Sequence, residues 1–447
     1  MRKIKESTFS DFRHGIILTL LGLLIALFFW PPLERIEYSL YDVGARLRVK
    51  SSVAPVAVIA IDEKSIANFG PWPWPRSYIG FMIDLLDAYD ARVIGLDIIY
   101  SDKDMNRGLK EVLNIIQTIE DNPQYSKKNI STIILLAALK DAEKRLDNDA
   151  ILADSLAMSD KVILPLHFNL GREKNHAFDV LPDFIAQNAL FPFWPDNSLP
   201  AYEMTAPLDI FSRNAQRLGH MNIVADSDGT VRSDTVFIKY GNYIFPSLAL
   251  QLALAYFNID LRDIDMENGL NLGPTTIPLV DGKKMLITYK TDIPYYSFLE
   301  VINKTIPAEA FKDKVVIIAP STVALGDLQV TPATHNVPSV KIIANSVDNI
   351  LTNDFITRPD WAYSLELMLI FFFGLYVALV VPRLRVSISA VLSALLLAAS
   401  LATGVYFMAV YGYWIKAVYP SLVLLIGYAI IISKRYQLIY KDRHAPK

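Results

Sequence analysis

WAYSLELMLIFFFGLYVALVVPRLRVSISAVLSALLLAASLATGVYFMA, residues 361–409, is followed after a short Tyr-Gly turn by YWIKAVYPSLVLLIGYAIII, residues 413–432. Three apolar runs lie in this region: Trp361 to Val381, Val386 to Ala409 and Tyr413 to Ile432. Each meets the length of about 20 residues that a helix needs to cross some 30 Å of hydrocarbon. A fourth run, Gly15 to Trp30 (GIILTLLGLLIALFFW), has no charge and is just long enough. Everything from about residue 33 to 360 reads as ordinary globular sequence enclosed by these spans.

The first run follows Arg2, Lys3, Lys5 and Arg13 and is followed by Phe28, Phe29, Trp30, Pro31 and Pro32. A cleaved signal peptide needs small residues at that place, so the run reads as an uncleaved anchor over residues 15–32. Lys and Arg gather before it, in the loop with Arg383 and Arg385, and in the tail with Lys434, Arg435, Lys441, Arg443 and Lys447. The positive-inside rule puts these in the cytoplasm and residues 33–360 outside it, with both termini inside. Trp30, Trp361, Tyr411, Tyr413 and Trp414 fall at span ends, where amphipathic rings favour the headgroup level. The expected layout is one span, a large outer domain, spans at 361–381, 386–409 and 413–433, and a tail from 434.

A formal net charge of -3 argues against a nucleic-acid partner. The chain has no cysteine, which excludes disulfides, thiolate chemistry and cysteine-held metal. The six histidines, at 14, 167, 176, 220, 335 and 444, have no metal-ligand spacing, and no phosphate-cradling glycine loop is present, so no cofactor is expected.

Val56 to Ile61 (VAVIAI) reads as a buried strand, Tyr78 to Tyr89 as an amphipathic helix and Arg92 to Asp97 as a second strand, together a βαβ unit with parallel strands. Further strands are expected at Lys161 to Leu166, within the alternating Thr230 to Tyr240, and at Met285 to Tyr289 and Val315 to Ala319. Helices are expected at Ser247 to Phe257 and Ser339 to Leu351. The fold class is an α/β extracytoplasmic domain with a mostly parallel sheet, plus four transmembrane helices. Asp102 to about Asp147, polar and helical in pattern, reads as an insertion or lid.

LERIEYSLYD (Leu33 to Asp42) with Arg46 and Arg48, AIDEKSI (Ala60 to Ile66), GPWPWPR (Gly70 to Arg76) and ARVIGLDIIY (Ala91 to Tyr100) form one set of blocks. DAILADSL (Asp149 to Leu156), LGHMNIVADSDGTVR (Leu218 to Arg232), FPSLALQLALAYF (Phe245 to Phe257), KDKVVIIAPS (Lys312 to Ser321), GDLQVTP (Gly326 to Pro332) and ANSVDNIL (Ala344 to Leu351) form another. In this order they resemble the second class of CHASE domains, the extracellular sensory modules of bacterial cyclases, histidine kinases and serine/threonine kinases. The three following helices match that family's layout. The resemblance implies signal sensing, no catalytic site in the sensory domain, and dimerisation. The chain departs from the family at Ala319 and Pro320, where glycine is common, and at PSVKII (Pro338 to Ile343), where Lys341 reverses a charge. After the third helix the family continues into a catalytic domain; here the tail SKRYQLIYKDRHAPK is too short for one.

Several residues are candidate ligand contacts. In GPWPWPR, Trp72 and Trp74 offer flat surfaces for a planar or sugar-like ligand and Arg76 an anion site; the alternative is a loop that caps a core. Asp62 and Asp97 each follow a strand, at the end where open parallel sheets bind ligands, and with Asp327 would make a polar or cation pocket; alternatively they are helix caps. Asp226 and Asp228 in DSDGT resemble the nucleophile and acid of haloacid-dehalogenase phosphatases with Mg²⁺, but the β-branched TVRSDTVFIKY that follows fits an Asp-Gly hairpin turn. His220 reads as a satisfied core or hairpin residue, and Glu366, near the start of a span, as a carboxylate snorkelling to the interface. The expected function is a membrane sensor that detects an unidentified small-molecule or protein signal outside and hands it to a separate kinase, cyclase or response regulator. A homodimer is the expected state. The alternatives are a truncated receptor cyclase or kinase and an outer-face phosphatase.

Overall fold

The computed structural model describes residues 31–104, 106–122, 130–171, 181–190, 198–265, 269–322 and 328–443, with the isolated positions 17, 20 and 24. Of the first span, residues 15–32, only Ile17, Leu20, Leu24, Pro31 and Pro32 are among the described residues. Asp327 lies outside them as well.

The chain enters through a helix that the sequence reading had not singled out, α1 (Pro31–Leu47), and then alternates strands and helices. These are β1 (Val56–Ile61), α2 (Glu63–Phe69), α3 (Ser77–Ala88) and β2 (Val93–Leu96). The polar stretch after them is a helical hairpin, α4 (Arg107–Asp121) and α5 (Ile130–Leu146), and α6 (Asn148–Ser159) returns the chain to the body. Then come β3 (Val162–Leu170), β4 (Leu199–Thr205), β5 (Arg217–His220), β6 (Ser233–Thr235), β7 (Phe237–Tyr240), β8 (Tyr243–Pro246) and α7 (Leu248–Phe257). The domain closes with β9 (Lys284–Leu286), β10 (Tyr295–Ser297), β11 (Val315–Pro320) and α8 (Ser339–Thr352).

The main sheet runs β10-β1-β11-β2-β3-β4-β7-β8, with β5 also paired to β3. From β10 to β3 every pairing is parallel; β4 and β8 bring the antiparallel ones. The expected β1–helix–β2 unit has parallel strands, but they are not neighbours: β11, more than 200 residues downstream, lies between them. Alternate residues face opposite ways. Ile59, Ile61, Ile94, Leu96, Val316 and Ile318 pack under α3 and α6, whereas Val56, Val58, Val93, Val315 and Ile317 pack under α7 and α8. Burial on both faces is what makes these strands continuous apolar runs, as in a doubly covered parallel sheet.

Two expected strands are shorter than read. Thr230 to Tyr240 divides at Val236 into β6, which pairs antiparallel with β9, and β7, which joins the main sheet. Of the expected Met285–Tyr289 strand only Met285 and Leu286 are strand, within β9; beyond it, side chains of α8 replace a partner strand. Asn349 accepts from the Thr288 N–H at 2.7 Å and donates to the Thr288 carbonyl at 2.9 Å, and Asn345 accepts from the Lys290 N–H at 2.6 Å.

After α8 the bundle begins: α9 (Asp360–Leu379), α10 (Val386–Tyr411) and α11 (Val418–Arg443). These are three helices long and apolar enough to cross a membrane. Val391, Leu395 and Phe372 stay exposed, as lipid-facing residues would. The last starts at Val418 rather than Tyr413, because Tyr413 and Trp414 are held by the strand-like segment at Thr357: Thr357 donates to Gly412 and Trp414 donates to Thr357, both at 2.8 Å. Pro420 sits in its first turn, where a missing N–H costs no helical bond.

Candidate functional site

At the carboxyl ends of the parallel strands, Asp62 is the N-cap of α2, accepting from the Ser65 N–H at 2.9 Å and from the Ser297 hydroxyl at 2.9 Å. Asp97, at the end of β2, is buried and one of its carboxylate oxygens has no partner. Desolvation pushes its pKa up to about 7. The two aspartates thus share one sheet edge.

The GPWPWPR loop is mostly core. Trp74 is 4 % exposed, packs against Phe298 at 5.2 Å and Phe69 at 5.3 Å, and donates its indole N–H to the Gly70 carbonyl at 2.8 Å. Trp72, half-buried, stands edge-on to Trp74. Arg76 is buried, with its charge on Asp149 of α6 and its other Nη on the Asp102 carbonyl, and it lies 4.9 Å over the Tyr100 ring. It ties the base of the α4–α5 insertion to the body.

Asp226 to Thr230 is a tight turn: the Asp226 N–H donates to the Thr230 carbonyl, and Gly229, at φ +83°, donates to Asp226, both at 2.9 Å. Only a residue without Cβ takes that φ easily. A strand, β6, follows rather than the helix that phosphatase chemistry requires, and both carboxylates are engaged by Arg232. Its Nη1 and Nη2 donate to Asp228 at 2.9 and 2.7 Å, and Nη1 to Asp226 at 3.3 Å. Nε and Nη2 also reach across to Asp42 of α1, at 2.8 and 2.9 Å. The guanidinium lies 4.4 Å over the Tyr38 ring, and Arg232 is 1 % exposed. Burial opposes the charge of Asp228, but the hydrogen bonds from Arg232 outweigh it and hold that carboxyl below its ordinary value.

Two further ion networks fasten α1 and the segment after it. Arg48 donates to Asp354 at 2.6 Å, Lys50 reaches the same carboxylate at 3.2 Å, and Lys290 pairs with its other oxygen. A Cβ on Gly412 would lie 2.8 Å from the Arg48 guanidinium carbon, so the α10–α11 loop passes directly over this network. At the other end of α1, Glu34 takes the Lys416 ammonium at 2.5 Å and the Tyr419 hydroxyl at 3.0 Å. Glu37 accepts the Val418 N–H at 3.0 Å, a free donor of the α11 N-terminus. Burial pushes the pKa of Glu37 up to about 7. Glu366 does not snorkel: it is 6 % exposed, accepts from Arg358 and from the Lys416 N–H, each at 2.8 Å, and so braces the same segment.

Glu34, Tyr38, Tyr41 and Arg48 recur at helical spacing, so one face of α1 meets the bundle at one end and the globular domain at the other. Between them is a cavity of about 430 Å³, walled by α1, the Asp226 turn with Lys284, and Arg358, Trp414 and Lys416 of the bundle mouth. The sequence reading singled out Asp226 and Asp228 as a motif or turn and did not foresee Arg232 and Asp42 as their partners, nor Trp414 across the cavity that Asp226 lines. The available signal was the run of charged and tyrosine residues at helical spacing in LERIEYSLYDVGARLR. His220 is buried against Phe168, and burial pushes its pKa down to about 3. It is a core histidine, close to the backbone of Thr235 and Val236. Among the described residues no group of three or more His, Cys, Asp or Glu is placed to hold a metal ion.

The family model of the CHASE2 domain matches residues 19–380, from within the first apolar run to the end of α9. No curated protein and no solved structure matches the chain.

Proposed function

Because the chain belongs to the CHASE2-domain family, we propose that it is a membrane sensor whose α/β domain detects a small-molecule or protein signal outside the cytoplasm and passes its state through the bundle. The recipient is a separate cytoplasmic kinase, cyclase or response regulator, and the sensor works as a homodimer with both termini inside and a fourth span at residues 15–32. The domain is sensory and not catalytic, in keeping with Asp226 and Asp228 being engaged by Arg232.

The observation that carries this reading is α1. Its Asp42 is clamped to the globular domain through Arg232, and its Glu34 and Glu37 hold the segment that starts α11. A displacement of the Asp226 turn therefore reaches α11, the helix that leads to the tail. A signal drives such a displacement only if it binds two arrangements with unequal affinity. For the signal itself we favour the strand-end crevice of Asp62 and Asp97, with the half-buried Trp72 on the loop that follows Asp62; the unpartnered oxygen of Asp97 supports it.

The test is photo-cross-linking from native membranes with a photoreactive residue at position 438. Capture of a kinase, cyclase or response regulator is the expected result. Recovery of the protein alone, or of envelope components, would remove the case for signal transfer.

A further inference from the structure

Three carboxylates converge on Lys416–Tyr419, where α11 starts. Glu34 and Glu37 come from α1 and Glu366 from α9, and they are 3 %, 1 % and 6 % exposed. Two cations stand against them and each is already taken: Lys416 pairs with Glu34 at 2.5 Å, and Arg358 with Glu366 at 2.8 Å. Glu37 is left with a neutral donor, the Val418 N–H at 3.0 Å. The Tyr419 hydroxyl and the Lys416 N–H do not change this count, because they go to Glu34 and Glu366. With all three acids ionised, the buried cluster holds one negative charge more than it has cations.

An excess charge away from water is costly, and the carboxylate without a cation is the one that a proton neutralises most readily. Lys416 and the first turn of α11 favour the ionised form of Glu37, while Glu34 and Glu366 disfavour it. Burial outweighs the favourable contacts and pushes the Glu37 carboxyl up to about 7. The junction cavity has Glu34 and Lys416 in its wall together with the exposed Asp281, so solvent protons have a way to the cluster. A carboxyl raised in this manner holds its place best when protonated, and that contribution is lost as pH climbs from about 4.5 to about 7. Once ionised, Glu37 is repelled by Glu34 on its own helix and by Glu366 across the gap.

We propose that Glu37, with Glu34, Glu366, Lys416 and Arg358, is a proton-operated clasp: proton uptake at Glu37 draws α1 and α9 onto the start of α11, and proton loss loosens them. The same α1 holds the globular domain through Asp42 and Arg232, so the state of the clasp is felt on both sides of the junction. The clasp makes external acidity a signal that the sensor registers, and it rests on the sensory reading only for what the cytoplasmic side does with it.

The chain has no cysteine, so the full protein in lipid nanodiscs can carry spin labels at Ile36→Cys on α1 and Leu425→Cys on α11, both half exposed. Their distance distribution, followed by pulsed electron resonance from about pH 5 to about pH 9, is expected to be narrow in acid and longer or broader in base. The midpoint is expected near pH 7. Glu37→Gln, shaped like the protonated acid, should fold and keep the acid distribution at every pH. It should also lose a carboxylic-acid C=O band from the acid-minus-base infrared difference spectrum. Glu366→Gln removes a neighbouring negative charge and should move the midpoint to lower pH; an unmoved midpoint there counts against the clasp even if the first variant does not fold. A wild-type distance that ignores pH, a transition that persists in Glu37→Gln, or an infrared difference that this variant leaves intact overturns the proposal. A clasp that titrates as stated while position 438 captures no cytoplasmic partner would instead sink the sensory reading alone.

Discussion

Arg232 is buried, yet it faces three carboxylates, Asp42, Asp226 and Asp228, and a tyrosine ring. Its planar fork serves Asp42 and Asp228 with two donors each, which an ammonium does not reproduce. Arg232→Gln leaves those carboxylates without their shared cation, and breaking a buried pair on one side typically costs about 3–5 kcal/mol. Urea unfolding of the purified chain should show a loss of that order, with Arg232→Lys in between; a loss near zero would mean that solvent, not Arg232, compensates the aspartates. Asp97 poses a different case, because desolvation raises its folded pKa from 3.8 to about 7. The unfolded chain then releases its proton first, so Asp97 erodes stability as pH climbs from about 4 to 7, and the loss is constant above that. Asp97→Asn removes the titration. Relative to wild type it should gain stability across that window, by roughly 2–4 kcal/mol at pH 8, and a flat difference between the two would refute the raised pKa.

At the scale of elements, the least obvious device is α8. Its Asn345 and Asn349 are 1 % and 0 % exposed, polar side chains on a helix face that packing alone would fill with leucine. They satisfy the backbone of Thr288 and Lys290 where β9 has ended, so a helix does the work of a neighbouring strand. Asn349→Leu leaves the Thr288 N–H and carbonyl unpaired and should cost about 2–6 kcal/mol, at roughly 1–3 for each orphaned group. Amide hydrogen exchange at Thr288 should accelerate in step, and unchanged protection there would count against this account. The ANSVDNIL block was legible as a helix from its apolar period. What its asparagines bind was not, because their partners are some 60 residues away in the chain.

For the whole molecule the central question is which way it faces the membrane. Lys and Arg gather in the 382–385 loop and the tail, which by the positive-inside rule are expected on the cytoplasmic side. The chain contains no cysteine, so single cysteines report side directly. A cysteine at Met158, which is 83 % exposed, should react with a membrane-impermeant maleimide in intact spheroplasts. One at Tyr436, 61 % exposed near the end of α11, should react only after permeabilisation. The opposite pattern would invert the proposed direction of signalling. The same three-part layout makes α1 the mechanical link: it packs on α10 and α11 while its ion pairs run to the globular domain, so domain and bundle are not independent bodies on a loose tether.

Local pattern by itself determined the three C-terminal apolar spans, VAVIAI and VVIIA as buried strands, the helices after Arg76 and Ser247, and a tight turn at Asp226, though the strands on either side of it do not pair as a hairpin. Each depends on residues within a few positions of one another, through periodicity, turn chemistry or length against the bilayer. Only the tertiary structure decided that β11 lies between β1 and β2, that Arg76 is bound to Asp149, and that Glu366 is buried rather than snorkelled. It alone gathered Glu34, Arg232, Arg358 and Trp414 about one cavity. Those pairings join residues up to several hundred positions apart, and a charge is read from its own codon while its partner is chosen by the fold.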